Sequence, residues 1–155
     1  MNVVFICTGN TCRSPLAEAL ARRAAQQRGI AATFASAGTG AALGSPATDG
    51  AILIGLERGV DLSRHRSRPL LPAAIIGDTV VLAMASGHIS GIRAVVPKAR
   101  VYLLDEYASH GASMRAVADP YGGDLADYRQ AADAIEAMLD AVLDRLVSER
   151  TTGTA

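Results

Sequence analysis

Short unbroken apolar runs alternate with longer stretches in which apolar residues recur every three or four positions. The first run, Asn2 to Cys7, ends in a Gly/Asn turn and predicts a buried parallel strand. Ser14-Pro15 then opens a helix, with proline in the first turn where its missing N–H costs little. Leu16, Leu20 and several alanines give that helix a small-residue face to about Gly29. Ala32 to Ser36 predicts a second strand, followed by a flexible loop over Gly38 to Ser45. Pro46 is expected to start a second helix, with Ile52, Leu53 and Leu56 inward and Gly59 as its stop. Thr79 to Leu82 predicts a third strand, Ser86 to Val95 a short helix and Arg100 to Leu104 a fourth strand. A loop through Asp119-Pro120-Tyr121-Gly122-Gly123 leads to a last helix over about Leu125 to Val147. Its apolar stripe is Tyr128, Ile135, Leu139, Val142 and Leu146.

Strands that alternate with helices through short turns imply a parallel sheet covered on both faces. The expected fold is therefore α/β, a doubly wound three-layer sandwich whose ligand site lies at the carboxyl ends of its strands. Residues 1–148 are expected to form one domain, and 149–155 a polar, frayed tail.

Composition adds boundaries rather than chemistry. The residues are 50% hydrophobic and only 4% aromatic, which suits an aliphatic core and argues against disorder. Fifteen basic residues balance fifteen acidic ones, so no global field draws the chain to nucleic acid or an anionic membrane. Any anion site must be local. The two cysteines, Cys7 and Cys12, form no disulfide framework, and the N-terminal apolar run is too short for a signal peptide. A cytoplasmic monomer is expected, without nucleic-acid or membrane partners.

The chemistry concentrates in Cys7-Thr8-Gly9-Asn10-Thr11-Cys12-Arg13-Ser14, between a strand and a helix N-terminus. Successive N–H groups in such a turn make an anion nest, and the helix end adds partial positive charge. Gly9 permits close backbone approach, and Asn10 tolerates the left-handed conformation that a nest requires. That field favours the thiolate of a cysteine facing it. Arg13 supplies a planar fork for two phosphoryl oxygens, and the Ser14 hydroxyl can donate to the sulfur. Asp119-Pro120 sets an extended backbone at Asp119, and the glycines after Tyr121 make that loop mobile.

CTGNTCRS at residues 7–14 resembles the signature loop of the low-molecular-weight protein tyrosine phosphatase family. The likeness extends through Ser36-Ala37-Gly38-Thr39, Asp49, the stretch Asp61 to Arg68, Met84 and Asp119-Pro120-Tyr121. It implies a four-stranded parallel sheet flanked by helices, and catalysis without metal or cofactor. By position, Cys7 matches the nucleophile, Arg13 the phosphate clamp, Ser14 the thiolate-stabilising hydroxyl and Asp119 the general acid. Asn10 matches the loop-shaping asparagine, in a network that Ser36 would join. Residues Thr8 to Ser14 would hold the phosphoryl group of a phosphorylated protein.

Thr11 bears on the substrate. Tyrosine-directed members commonly carry a bulky aliphatic residue there, whereas threonine resembles the bacterial protein-arginine phosphatases of the same family. Leu104-Asp105-Glu106-Tyr107 and the run before the loop resemble that subgroup too. Phosphoarginine is therefore favoured over phosphotyrosine. Residues Thr39 to Gly44 lack the aromatic that many relatives place beside the substrate, leaving Tyr121 to join Thr11 in the pocket wall. Cys12 either pairs reversibly with Cys7 as a redox partner or is a small buried residue. His65, His88 and His110 stand apart in sequence, so no zinc site is expected. Arg64, Arg66 and Arg68 are either a solvated face or a docking patch for an acidic surface. A thiol-coupled arsenate reductase would need further cysteines, and residues 70–90 contain none. A phosphate-binding module would lack the nucleophile or the acid.

Overall fold

The computed structural model describes residues 1–153. Four parallel strands, β1 (Asn2–Cys7), β2 (Thr33–Gly38), β3 (Val80–Ala83) and β4 (Arg100–Leu103), form one sheet in the order β2-β1-β3-β4. The chain turns to one side of β1 with β2 and to the other with β3, and the crevice at this reversal lies beyond Cys7. Alternate β1 residues enter two cores. Val3, Phe5 and Cys7 pack with α1 (Arg13–Gln27), α2 (Asp49–Glu57), α4 (Leu104–Ala108) and α5 (Leu125–Gly153). Val4 and Ile6 face α3 (Ile89–Val95) and the segment around Leu70. Period-2 side-chain alternation in a strand buried on both sides accounts for this division. Phe5 and Ile6 are completely buried, each contributing about 2–3 kcal/mol of transfer free energy. Among the described residues, no helix is long and apolar enough to cross a membrane.

Four expectations need correction. Helix α2 begins at Asp49, capped by the Thr48 side chain accepting from Ala51 N–H, while Pro46 pairs with Arg66 in an isolated bridge. Its inward face is Ala51, Ile54 and Gly55; Leu53 and Leu56 are exposed, and Ile52 is only partly buried. The helices approach too closely for the leucine face. A Cβ on Gly50 would lie 2.5 Å from the Tyr128 ring, and one on Gly55 would lie 2.4 Å from Leu62. Small residues are therefore the ones that fit. Gly59 does end the helix: at φ 80° it lets Val60 N–H reach Gly55 O and its own N–H reach Leu56 O.

The expected loop after β4 contains the single-turn helix α4, where Glu106 accepts from Leu103 N–H at 3.1 Å. Helix α5 runs beyond Val147 to Gly153. Glu149, expected in a frayed tail, instead receives Arg100 and Arg145 at 3.0 Å and the Tyr107 hydroxyl at 2.9 Å. Burial opposes ionisation of Glu149, but these donors outweigh it and hold its carboxyl below the usual range. Residues 154–155 of the expected tail lie outside the described residues.

Candidate active site

Strand β1 delivers Cys7 to the carboxyl end of the sheet, and α1 begins six residues later at Arg13. Among the described residues, no backbone N–H from Thr8 to Ser14 donates to a protein acceptor. Seven amides left open at a helix N-terminus form an anion-binding concavity. The outer side of the loop is tied down through its carbonyls. Thr39 N–H donates to Cys7 O, Gly40 N–H to Thr8 O and Thr48 N–H to Thr11 O, each at 3.0 Å. Gly38 lets β2 come this close, since a Cβ there would sit 2.3 Å from Thr8 O.

Asn10 is fully buried and adopts φ 56°, the left-handed conformation. Its Nδ2 donates to Ser14 Oγ at 2.8 Å and to Ser36 Oγ at 2.9 Å, while Oδ1 accepts from Arg68 N–H at 3.0 Å. Its carbonyl accepts from His65 Nε2–H at 2.7 Å. Because Asn10 occupies a lone pair of Ser14 Oγ, the hydroxyl hydrogen is free to point at Cys7 Sγ, 2.9 Å away. A donor relay thus runs from amide to hydroxyl to sulfur.

Arg13 is 5% exposed, and its Nη1 donates to Val117 O at 3.0 Å. Its Nη2 lies 3.5 Å from Asp119 Oδ2, and its buried Nε has no protein partner. Asp119 Oδ1 accepts from Tyr121 N–H at 3.1 Å, which shapes the turn, and Pro120 is buried beside it. Cys7, Thr8, Gly9, Thr11, Cys12, Arg13, Asp119 and Tyr121 line one cavity of about 300 Å³. Asn10, Ser14 and Ser36 lie beneath it as the support. Cys12 is a free, buried thiol whose Sγ lies 3.4 Å from Thr48 Oγ1 and 3.6 Å from the Tyr128 hydroxyl. Burial pushes the Tyr128 phenol up to about 12, so it stays a neutral donor to Thr48 Oγ1 at 3.0 Å.

The sequence profile of the low molecular weight phosphotyrosine protein phosphatases matches residues 2–152. The chain belongs to that family. It is 36% identical to a protein-arginine-phosphatase of Bacillus subtilis, over 97% of this chain and 99% of that one. A protein-arginine-phosphatase of Geobacillus stearothermophilus is 38% identical, over 96% and 97% of the two chains. Among solved structures, a cysteine-to-serine mutant of the YwlE arginine phosphatase, with a phosphorylated active-site serine, superposes with a TM-score of 0.91. It is 35% identical and covers 97% of this chain and 99% of its own. The four-stranded parallel α/β fold expected from the sequence is the fold of the family.

Two of the three histidines, apart in sequence, touch the loop. His88 Nδ1 accepts from Ala85 N–H at 3.2 Å, which leaves the proton on Nε2 to donate to Thr8 Oγ1 at 2.9 Å. Burial first, and the Arg13 charge second, hold this imidazole below its ordinary 6.5. Thr48, Tyr128 and the Val117 carbonyl also escaped sequence reasoning. Val117 contributes only a backbone atom, and the others reach the loop from up to 116 residues away, so no local pattern marks them.

Proposed function

We propose that the chain hydrolyses phosphorylated protein side chains through a phosphocysteine intermediate, with phosphoarginine as the preferred substrate. The supporting observation is the set of open loop amides and the orphaned Arg13 Nε surrounding Cys7. Both are donors awaiting the equatorial oxygens of a phosphoryl group. Cys7 attacks phosphorus as the thiolate, forming S–P as the P–N bond breaks. Asp119, entering protonated, gives its proton to the departing guanidino nitrogen. Water then attacks the phosphocysteine, Asp119 takes a proton from it, and inorganic phosphate leaves with Cys7 restored as thiolate. Ser14, oriented by Asn10, stabilises that leaving sulfur.

The preference for phosphoarginine rests on Thr11, which lines the same cavity as Cys7. A hydroxyl there meets a polar guanidinium better than an aliphatic wall does, and the curated relatives reported above carry the same assignment by name. Phosphotyrosine is the second reading, favoured by the exposed Tyr121 ring at the cavity mouth. Wild type should hydrolyse p-nitrophenyl phosphate and Cys7→Ser should not. The kcat/KM for phosphoarginine peptides should exceed that for phosphotyrosine peptides, with Thr11→Ile narrowing the gap. A wild-type preference for the phenolic ester that Thr11→Ile leaves unaltered would remove the arginine assignment.

A further inference from the structure

Helix α2 carries a leucine that the amphipathic pattern directs inward and the fold leaves outside. Leu53 is 52% exposed and shares a cavity of about 660 Å³ with Tyr121, 72% exposed, and Leu125, 39% exposed. The cavity lies between the first turns of α2 and α5. It meets the catalytic cavity at Tyr121, which lines both. Gly50 forms part of its wall and has no room for a side chain against Tyr128. The charged lining residues are Asp49 and Asp124, and no lysine or arginine lines it. Neither carboxylate has an ion-pair partner among the described residues, although Asp124 Oδ1 accepts from a backbone N–H.

We infer that this cavity is a subsite for the polypeptide substrate, taking an apolar side chain adjacent to the phosphorylated residue and disfavouring an acidic one there. The inference rests on the phosphatase reading and adds to it a sequence preference. Since Tyr121 borders both cavities, a substrate chain that passes this ring with its phosphoryl group seated over Cys7 brings a neighbouring side chain to Leu53 and Leu125. Exposed apolar side chains converging on one concavity are the usual mark of a recognition surface. The unpaired carboxylates repel an acidic flank and attract a basic one, an effect that salt should weaken.

The test uses peptides in phosphoarginine and phosphotyrosine form, with Leu, Ala or Asp immediately before or after the phosphorylated residue. In one of the two positions Leu should exceed Ala by about tenfold in kcat/KM, the scale of one apolar side chain entering a pocket, with Asp lowest. Leu53→Glu and, separately, Leu125→Ser should erase that preference while p-nitrophenyl phosphate hydrolysis stays within about twofold of wild type. Equal rates for Leu, Ala and Asp in both positions overturn the subsite alone, as does a preference that survives both variants. A wild-type protein inert towards p-nitrophenyl phosphate removes the phosphatase reading and the subsite together. Sedimentation velocity supplies the remaining outcome: a dimer dissociated by Leu53→Glu assigns the cavity to a second copy and overturns the proposal.

Discussion

Replacing Asn10 tests whether one buried amide holds both the loop and its chemistry. Asn10→Ala removes three side-chain hydrogen bonds, to Ser14, Ser36 and Arg68. At about 1 kcal/mol net each, they account for roughly 3 kcal/mol. Alanine at φ 56° adds about 1–2 kcal/mol of left-handed strain. The expected loss, about 4–5 kcal/mol, is a large part of the roughly 5–15 kcal/mol that holds such a domain. It corresponds to a fall in Tm of about 10–15 °C. Urea unfolding followed by circular dichroism measures it. Asn10→Asp separates architecture from chemistry. The carboxylate still accepts from Arg68 N–H, but it also takes the Ser14 hydroxyl hydrogen and turns it away from Cys7. Asn10→Asp should therefore unfold later than Asn10→Ala yet have a kcat for p-nitrophenyl phosphate at least about tenfold below wild type. A loss below about 1.5 kcal/mol for Asn10→Ala, or wild-type kcat in Asn10→Asp, would refute the relay.

Asp119→Asn should lower kcat by about 10²–10⁴-fold, more steeply for poor leaving groups; a loss independent of leaving group would deny Asp119 the acid role. Gly38→Ala sets a Cβ 2.3 Å from Thr8 O and 2.8 Å from Ala41 Cβ, so backbone must move. A stability loss of about 1–3 kcal/mol and weaker inhibition by vanadate are expected, and an unchanged inhibition constant would show that the loop does not depend on this contact. His88 resists protonation in the folded protein, so as pH falls past the ordinary 6.5 the unfolded chain binds the proton first. Its contribution is full above that pH and declines until the lowered folded value is reached. His88→Asn should therefore show a flatter Tm profile than wild type between about pH 7.5 and 5, and parallel profiles would count against the buried neutral imidazole.

The four strands and the amide-lined loop after β1 were legible in the sequence because their signals are local. A buried parallel strand is a continuous apolar run, and a nest at a helix start needs Gly, Asn and Ser-Pro at fixed offsets. The stripe on α5 was legible for the same reason, since a long helix repeats its pattern over many turns. The single turn of α4 has no period to read, and the polar end of α5 is held by Arg100 and Tyr107, which lie 49 and 42 residues away. The inward face of α2 was decided by clearance to Tyr128 and Leu62, which left leucines outside and glycines within. His65 and His88 gained their roles from loops folded against Asn10 and Thr8. Chain-local sterics and hydration selected the elements and the loop that carries Cys7. Which side chains support that loop, and which remain for a partner, depended on distances between elements that exist only after packing.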